Sequence, residues 1–252
     1  MLDNERIRMK ISTMFRLPRA ILRKLGYDVV RYSTALTGAD ARRLRALQTH
    51  RIDVVLDIGA SVGNYARKVR ECGYHGRIIS FEPLAESYEV LAAASAHDDM
   101  WLAVHTAIGD QDGSTSINVS GRSTSSSLLQ MDPSHLAAAP DSAYISHEDI
   151  TVKRLDTALE GLVRPEDRLY LKIDVQGYEA SVLAGAKAAL ATTQVLELEV
   201  SMVSLYEGST LHAEMIQTLD TLGFHLISWE DVLTDPQTGY VLQSDCIFAR
   251  QS

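Results

Sequence analysis

Between Val54 and Ala66 the chain reads VVLDIGASVGNYA, and this stretch admits few folds. Val54, Val55 and Leu56 form an unalternating apolar run, as in a parallel strand covered on both faces. Asp57 ends the run, Gly59 and Gly63 permit a tight turn, and the residues from Gly63 to Val69 open a helix. Strand, glycine turn and helix together let a ligand approach backbone N–H groups closely. Downstream, IISFEP (Ile78–Pro83) reads as a second apolar strand ending in an acid, Glu82. That acid lies about 20 residues beyond the turn, where a nucleotide-binding α/β unit places the carboxylate that takes ribose hydroxyls. The two stretches read as a nucleoside pocket.

The glycines select among nucleosides. A dinucleotide fold wants G-x-G-x-x-G, the middle glycine making room for a pyrophosphate. Here Ser61 holds that position and the pattern is G-x-x-x-G, and there is no G-x-x-x-x-G-K-[ST] phosphate loop. An acid ahead of the first glycine suits a ligand with a cationic end. S-adenosylmethionine, with its ammonium and sulfonium, fits that charge pattern.

At 252 residues the chain is long enough for one α/β domain with a large core. A formal net charge of −9 argues against non-specific nucleic-acid binding as its main task. Cys72 and Cys246 lie far apart, form no zinc pattern and read as reduced packing residues. No histidine pair has metal-ligand spacing, so no metal is predicted. No apolar run approaches the roughly 18 residues of a membrane span, and the start lacks a secretory pattern. The expected location is the cytoplasm.

Residues 1–50 read as a basic helical extension ahead of a domain over 51–252. Within residues 1–32, Arg6, Arg8, Lys10, Arg16, Arg19, Arg23, Lys24 and Arg31 interleave with apolar residues such as Ile7, Ile11, Phe15 and Leu22. Such a stripe either packs on the domain or lies against an anionic membrane surface, here the inner face.

The remaining pattern alternates. A helix is expected over Ala39–Thr49, a helix over Leu84–Ala96 and a single strand over Trp101–Ile108. A β segment over Ser114–Ser120 precedes a long irregular insertion running to Glu148, which contains a serine-rich loop. Thr151–Leu155 reads as a short strand followed by Asp156 as helix cap, Leu169–Ile173 as a core strand, and Tyr178–Leu190 as one helix. Val195–Val200, a helix over Leu211–Leu222, and a strand pair over Phe224–Trp229 and Asp245–Arg250 complete the chain. The alternation predicts an α/β fold with one doubly wound, mostly parallel sheet and an antiparallel end.

DIGASVGNYA, SFEP, AIGD-x-D-G, the SSSL of Ser125–Leu128 and LKIDVQGYEASVLAGA, in that order, resemble the FkbM family of S-adenosylmethionine-dependent methyltransferases. The resemblance runs from about Asp53 to Val200. Ser61 departs from it, standing where related proteins often carry asparagine. It implies a Rossmann-like class I methyltransferase fold with a seven-strand sheet, and transfer to a hydroxyl oxygen, often of a sugar or natural product.

On that reading Asp57, Gly59, Ala60 and Gly63 surround the methionine end of the cofactor and Glu82 the ribose. Ala107 and Ile108, with Asp110, line the adenine. Asp174 ends a core strand, where open α/β sheets place their ligands, and is the first candidate for a base. Glu179 and Glu199 are further candidates; each has an alternative structural role, Glu179 in capping its helix and Glu199 in pairing with Lys172. His147, in the insertion, is the histidine to test first. The expected activity is O-methylation of a saccharide, with a glycolipid suggested by the basic N-terminal segment. A fatty-acid carboxyl or a small natural product is the alternative acceptor. A nicotinamide-dependent oxidoreductase would need the missing middle glycine, and a non-catalytic module would bind the cofactor without transfer.

Overall fold

The computed structural model describes residues 39–250. The expected basic segment up to Gly38, including the membrane-docking stretch, therefore lies outside the described residues. The chain proceeds through α1 (Ala39–Thr49), β1 (Val54–Ile58), α2 (Asn64–Glu71), β2 (Arg77–Glu82), α3 (Ala85–Ser95) and β3 (Trp101–His105). It then forms β4 (Ala107–Gly109), β5 (Gly113–Ser120), α4 (Pro133–Ala138), β6 (Tyr144–Arg154) and α5 (Leu155–Ala158). β7 (Leu169–Ile173), α6 (Glu179–Ala184), α7 (Lys187–Thr192), β8 (Thr193–Ser201), α8 (His212–Thr221), β9 (Phe224–Thr234) and β10 (Val241–Arg250) follow.

Seven strands form one sheet in the order β3-β2-β1-β7-β8-β10-β9. β10 runs against both its neighbours and the other pairings are parallel. This is the doubly wound sheet with an antiparallel end that the alternation predicts. Both faces are covered, which is why β1 is buried at all five positions. Leu56, Ile58, Leu171, Ile173, Leu196 and Leu198 pack on one side with Val182 and Leu183 of α6 and Met215 and Leu219 of α8. Val55, Tyr170, Val195 and Ile247 pack on the other with Ala46 and Leu47 of α1, Ala66 and Val69 of α2, and Leu91 of α3. Helix α1 thus belongs to the folded unit, which begins at Ala39.

Three expectations are corrected. The strand predicted over Trp101–Ile108 divides at Thr106, whose hydroxyl donates to the Thr151 carbonyl at 3.1 Å. β3 stays in the main sheet while β4 joins a second sheet of order β4-β6-β5. The insertion is only partly irregular: Asp132 caps α4 by accepting the Ser134 N–H at 3.0 Å, and β6 runs eleven residues. Most of β6 is exposed, so the hydrophobic alternation that announces a half-buried strand is absent until Ile150. The helix predicted over Tyr178–Leu190 breaks at Gly185, where a Cβ would stand 2.0 Å from the Gly109 carbonyl oxygen. Asp156 caps the resulting second helix rather than its own, accepting the N–H groups of Ala188 and Ala189 at 3.0 Å.

Candidate active site

The strand order reverses between β1 and β7, and open α/β sheets bind ligands just outside the carboxyl ends at such a point. There the chain places Gly59 after β1 and Asp174 after β7, with the Asp174 N–H donating to the Ile58 carbonyl at 3.0 Å. An open cleft lies over these ends, lined by residues of both loops together with Phe81, Glu82 and Leu84. Of the candidates expected from the sequence, Gly59, Glu82, Ala107, Ile108 and Asp174 line it.

At one end of the cleft the backbone itself makes the wall. Gly59 has φ +77°, and a Cβ there would stand 1.9 Å from the Asp174 carbonyl oxygen, so no side chain fits between the two loops. Ser61 follows in the left-handed region at φ +49°. Its N–H donates to Glu82 Oε2 at 2.8 Å, while Glu82 Oε1 accepts the Leu84 N–H at 2.9 Å. Each carboxylate oxygen keeps a further lone pair for a ligand hydroxyl. Burial pushes the Glu82 carboxyl up to about 7, against the pull of its two amide donors. The Ser61 hydroxyl is buried and has no hydrogen-bond partner, although Ser61 lines the cleft. Buried polar atoms are rarely left unpaired, so this corner is built for a polar ligand. With Phe81, Ala107 and Ile108 supplying an apolar wall, the donor set fits an adenosyl group carrying a ribose diol.

Asp57, Ala60 and Gly63 do not line the cleft. Ala60 is buried and its N–H donates to the Phe81 carbonyl. Gly63 begins α2, and a Cβ on it would meet Trp101 and Leu91. Asp57 is fully enclosed in the sheet. Its Oδ2 accepts from Ser80 at 3.2 Å, and its Oδ1 faces Lys172 Nζ at 3.5 Å. Register explains the arrangement: Ser80, Asp57, Lys172 and Glu197 are successive partners across β2, β1, β7 and β8. They form a polar row across the middle of the sheet. Glu197 ends the row against α1, accepting from Arg43 Nε at 2.9 Å and the Tyr65 hydroxyl at 2.7 Å.

Asp174 is held from both sides. Its Oδ2 accepts from Lys172 Nζ at 3.1 Å and its Oδ1 from Gln176 Nε2 at 2.8 Å. Glu199 does not pair with Lys172; its Oε2 accepts from Gln176 Nε2 at 2.8 Å and from Gln243 Nε2 at 2.9 Å. Enclosure and neighbouring carboxylates push Glu199 well above the ordinary range. Glu179 turns back on its own loop, where its Oε1 accepts the N–H groups of Val175 and Gly177 at 3.3 and 3.1 Å. Burial pushes it up to about 7. Glu199 and Glu179 thus stand behind the cleft wall rather than on it. No group of three or more His, Cys, Asp or Glu side chains among the described residues is arranged to hold a metal ion.

His147 is exposed on β6, in register with Asn118, and does not line the cleft. Asp110 is exposed beside the Tyr178 hydroxyl at 3.4 Å. The serine loop does reach the site: Ser123, Thr124 and Ser126 line the cleft, and Ser127 donates to the Gln176 carbonyl at 2.7 Å. Gln176 and Tyr206 were not singled out from the sequence. Gln176 stands inside the K-I-D-x-x-G-x-E stretch, whose own density was the available signal; Tyr206 gave none, since its role depends on a loop folding back from β8.

A family model for the methyltransferase FkbM domain matches residues 57–226. The hexuronic acid methyltransferase AglP of Haloferax volcanii is 26% identical over 164 residues, 64% of this chain and 61% of that protein. The 2-O-methyltransferase NoeI of Sinorhizobium fredii is 27% identical over 167 residues, 62% of this chain and 66% of that protein. The chain thus spans less than two thirds of either relative. A crystal structure of methyltransferase FkbM from Methylobacillus flagellatus KT overlays with a TM-score of 0.48 at 13% identity, covering 86% of this chain and 46% of that one.

Proposed function

The chain belongs to the methyltransferase FkbM domain family, and on that premise we propose that it transfers a methyl group from S-adenosylmethionine to a saccharide hydroxyl, with the glycan of a glycolipid as acceptor. The observation that carries the reading is that Glu82 and Asp174 line one cleft: a ribose-type anchor and a hydrogen-bonded carboxylate face the same space. The sugar assignment is supported by the names of the two relatives, a hexuronic acid methyltransferase and a 2-O-methyltransferase.

When bound, the cofactor supplies an electrophilic methyl group on a sulfonium that departs as a neutral thioether and needs no general acid. Glu82 takes the ribose hydroxyls, the glycine turn at Gly59 admits close approach of the ligand to the backbone, and Ala107 and Ile108 flank the base. Asp174 accepts the hydroxyl proton of the acceptor. Its two donors, Lys172 and Gln176, fix its orientation. Holding the acceptor in place contributes up to about 7–11 kcal/mol, and a positioned base about 10²–10⁴-fold. The basic segment 1–32 supports docking at the inner, anionic membrane face, where a lipid-borne glycan is presented on the cytoplasmic side. Equal pelleting of the full chain and a chain lacking residues 1–31 with anionic vesicles would count against that docking.

The test is labelled methyl transfer from S-adenosylmethionine into a glycolipid extract, a fatty-acid panel and small phenolic alcohols. Label in a sugar hydroxyl is the expected result. Label only in a fatty-acid ester or a small natural product reassigns the acceptor. Cofactor binding with no transfer to any fraction leaves a binding module.

A further inference from the structure

Gln176 is a non-glycine residue at φ +55°, a left-handed backbone conformation that side chains rarely adopt. What it achieves is a side chain threaded between two carboxylates. The amide nitrogen has two protons to donate, and it lies 2.8 Å from both Asp174 Oδ1 and Glu199 Oε2. The amide oxygen accepts from the Tyr206 hydroxyl at 2.7 Å, which fixes which end of the amide faces the acids. Its backbone carbonyl accepts from Ser127 at 2.7 Å, tying the turn to the serine loop over the cleft.

We propose that Gln176 is the positioning residue of this site: it holds Asp174 and Glu199 apart as separate hydrogen-bond acceptors, so that no proton is shared between them, and leaves Asp174 free to take the proton of the acceptor hydroxyl. The inference rests on the role given to Asp174 above. Other charged groups bear on the pair from each packed element. They are Lys172 of β7, Asp57 of β1, Glu179 of α6, Glu197 of β8 and Asp245 of β10, with the Tyr206 hydroxyl from the loop after β8. None of them stands hydrogen-bonded between the two carboxylates as Gln176 does. Without the amide, the two carboxyls face one another with Lys172 bound to only one of them, and such pairs titrate together.

The test is carbon-13 NMR of carboxyl-labelled full chain, with Asp174 and Glu199 assigned through Asp174→Asn and Glu199→Gln. The wild type supplies the reference curves for the two carboxyls. In Gln176→Met, which keeps length and removes both donors, the Asp174 midpoint should rise by one pH unit or more, a tenfold change in proton affinity. The curve should also become biphasic and mirror that of Glu199. An unchanged Asp174 curve in folded Gln176→Met overturns the proposal. If that variant does not fold, Tyr206→Phe carries the test: freeing the amide to turn should move the Asp174 midpoint in the same direction, and an unmoved midpoint overturns the proposal equally. The readout needs no acceptor. Failure of methyl transfer with the expected titration would therefore reject the acceptor assignment and leave this inference standing.

Discussion

Glu82 Oε2 accepts the backbone N–H of Ser61 at 2.8 Å, joining the end of β2 to the glycine turn 21 residues earlier. Two separate stretches of sequence thus become one corner of a cleft, and the charge state of a single carboxyl governs it.

The first prediction follows from that carboxyl. Burial sets it at about 7, and hydroxyl donors favour its ionised form. Relative to Glu82→Gln, wild-type affinity for S-adenosylhomocysteine should be constant above pH 7 and fall by up to tenfold per unit below it. At pH 8 the variant should bind about 10–150-fold more weakly, since hydrogen bonds to a charged group are worth roughly 1.5–3 kcal/mol. Calorimetry across pH 5.5–8.5 checks both; parallel profiles for the two proteins would refute the assignment.

Gly59 offers a controlled steric comparison. Gly59 and Gly161 share nearly the same backbone angle, φ +77° and +75°, but an added Cβ meets the Asp174 carbonyl at 1.9 Å in the first and nothing within 4 Å in the second. Gly161→Ala should cost about 1–2 kcal/mol, the left-handed penalty alone. Gly59→Ala should cost at least about 2 kcal/mol more, through overpacking, and should lose cofactor binding. Urea denaturation of the pair gives the difference directly.

Glu179 titrates near 7 in the fold against an ordinary 4.5. The folded state therefore holds this proton more tightly than the unfolded chain, and the group's contribution falls as pH rises from about 4.5 through about 7, then levels. Glu179→Gln keeps an acceptor for the N–H groups of Val175 and Gly177 and removes the charge. Its stability relative to wild type should grow by up to about 1.4 kcal/mol per pH unit in that window. Denaturant midpoints at pH 5 and pH 8 test this; an advantage that shrinks with pH would be inconsistent with it.

Arg43 of α1 and Glu197 of β8 are both buried and paired. Glu197→Ala should destabilise by about 3–5 kcal/mol, because it removes the buried partner of the guanidinium and leaves it only the partly exposed Asp40 at 2.7 Å. Joint replacement, Arg43→Leu with Glu197→Leu, should cost less than the single change. A double-mutant cycle measures the coupling.

Asp174→Asn removes the proton acceptor while keeping oxygen and shape at the end of β7. Turnover should fall about 10²–10⁴-fold, with cofactor affinity within a few-fold of wild type. Retained turnover would point away from Asp174 as the base.

What could be read in advance was what local pattern encodes. The apolar runs at Val54–Leu56 and Leu169–Ile173, the glycine after the first and the acid at Glu82 each declare themselves within a few residues. Their placement follows from the handedness of parallel connections. What could not be read depends on distant partners. Asp57 carries the same motif signature whatever stands across the strand pair, and the local sequence does not announce that Lys172 does. Glu199 lies in an apolar strand that suggested a pairing with Lys172, yet its donors are Gln176 and Gln243, 23 and 44 residues away. The break at Gly185 depends on the backbone of Gly109, to which no local periodicity refers.

The position of β10 between β8 and β9 constrains biosynthesis as well as architecture. A ribosome delivers β10 after both strands that flank it, so until then β8 presents a bare edge and Glu199 waits for the amide of Gln243. The donor corner built on β1 and β2 can assemble early on the nascent chain, whereas the carboxylate cluster is completed only by late threading. A released chain ending between residues 235 and 240 should therefore have an unpaired β8 edge and a Glu199 without its Gln243 donor.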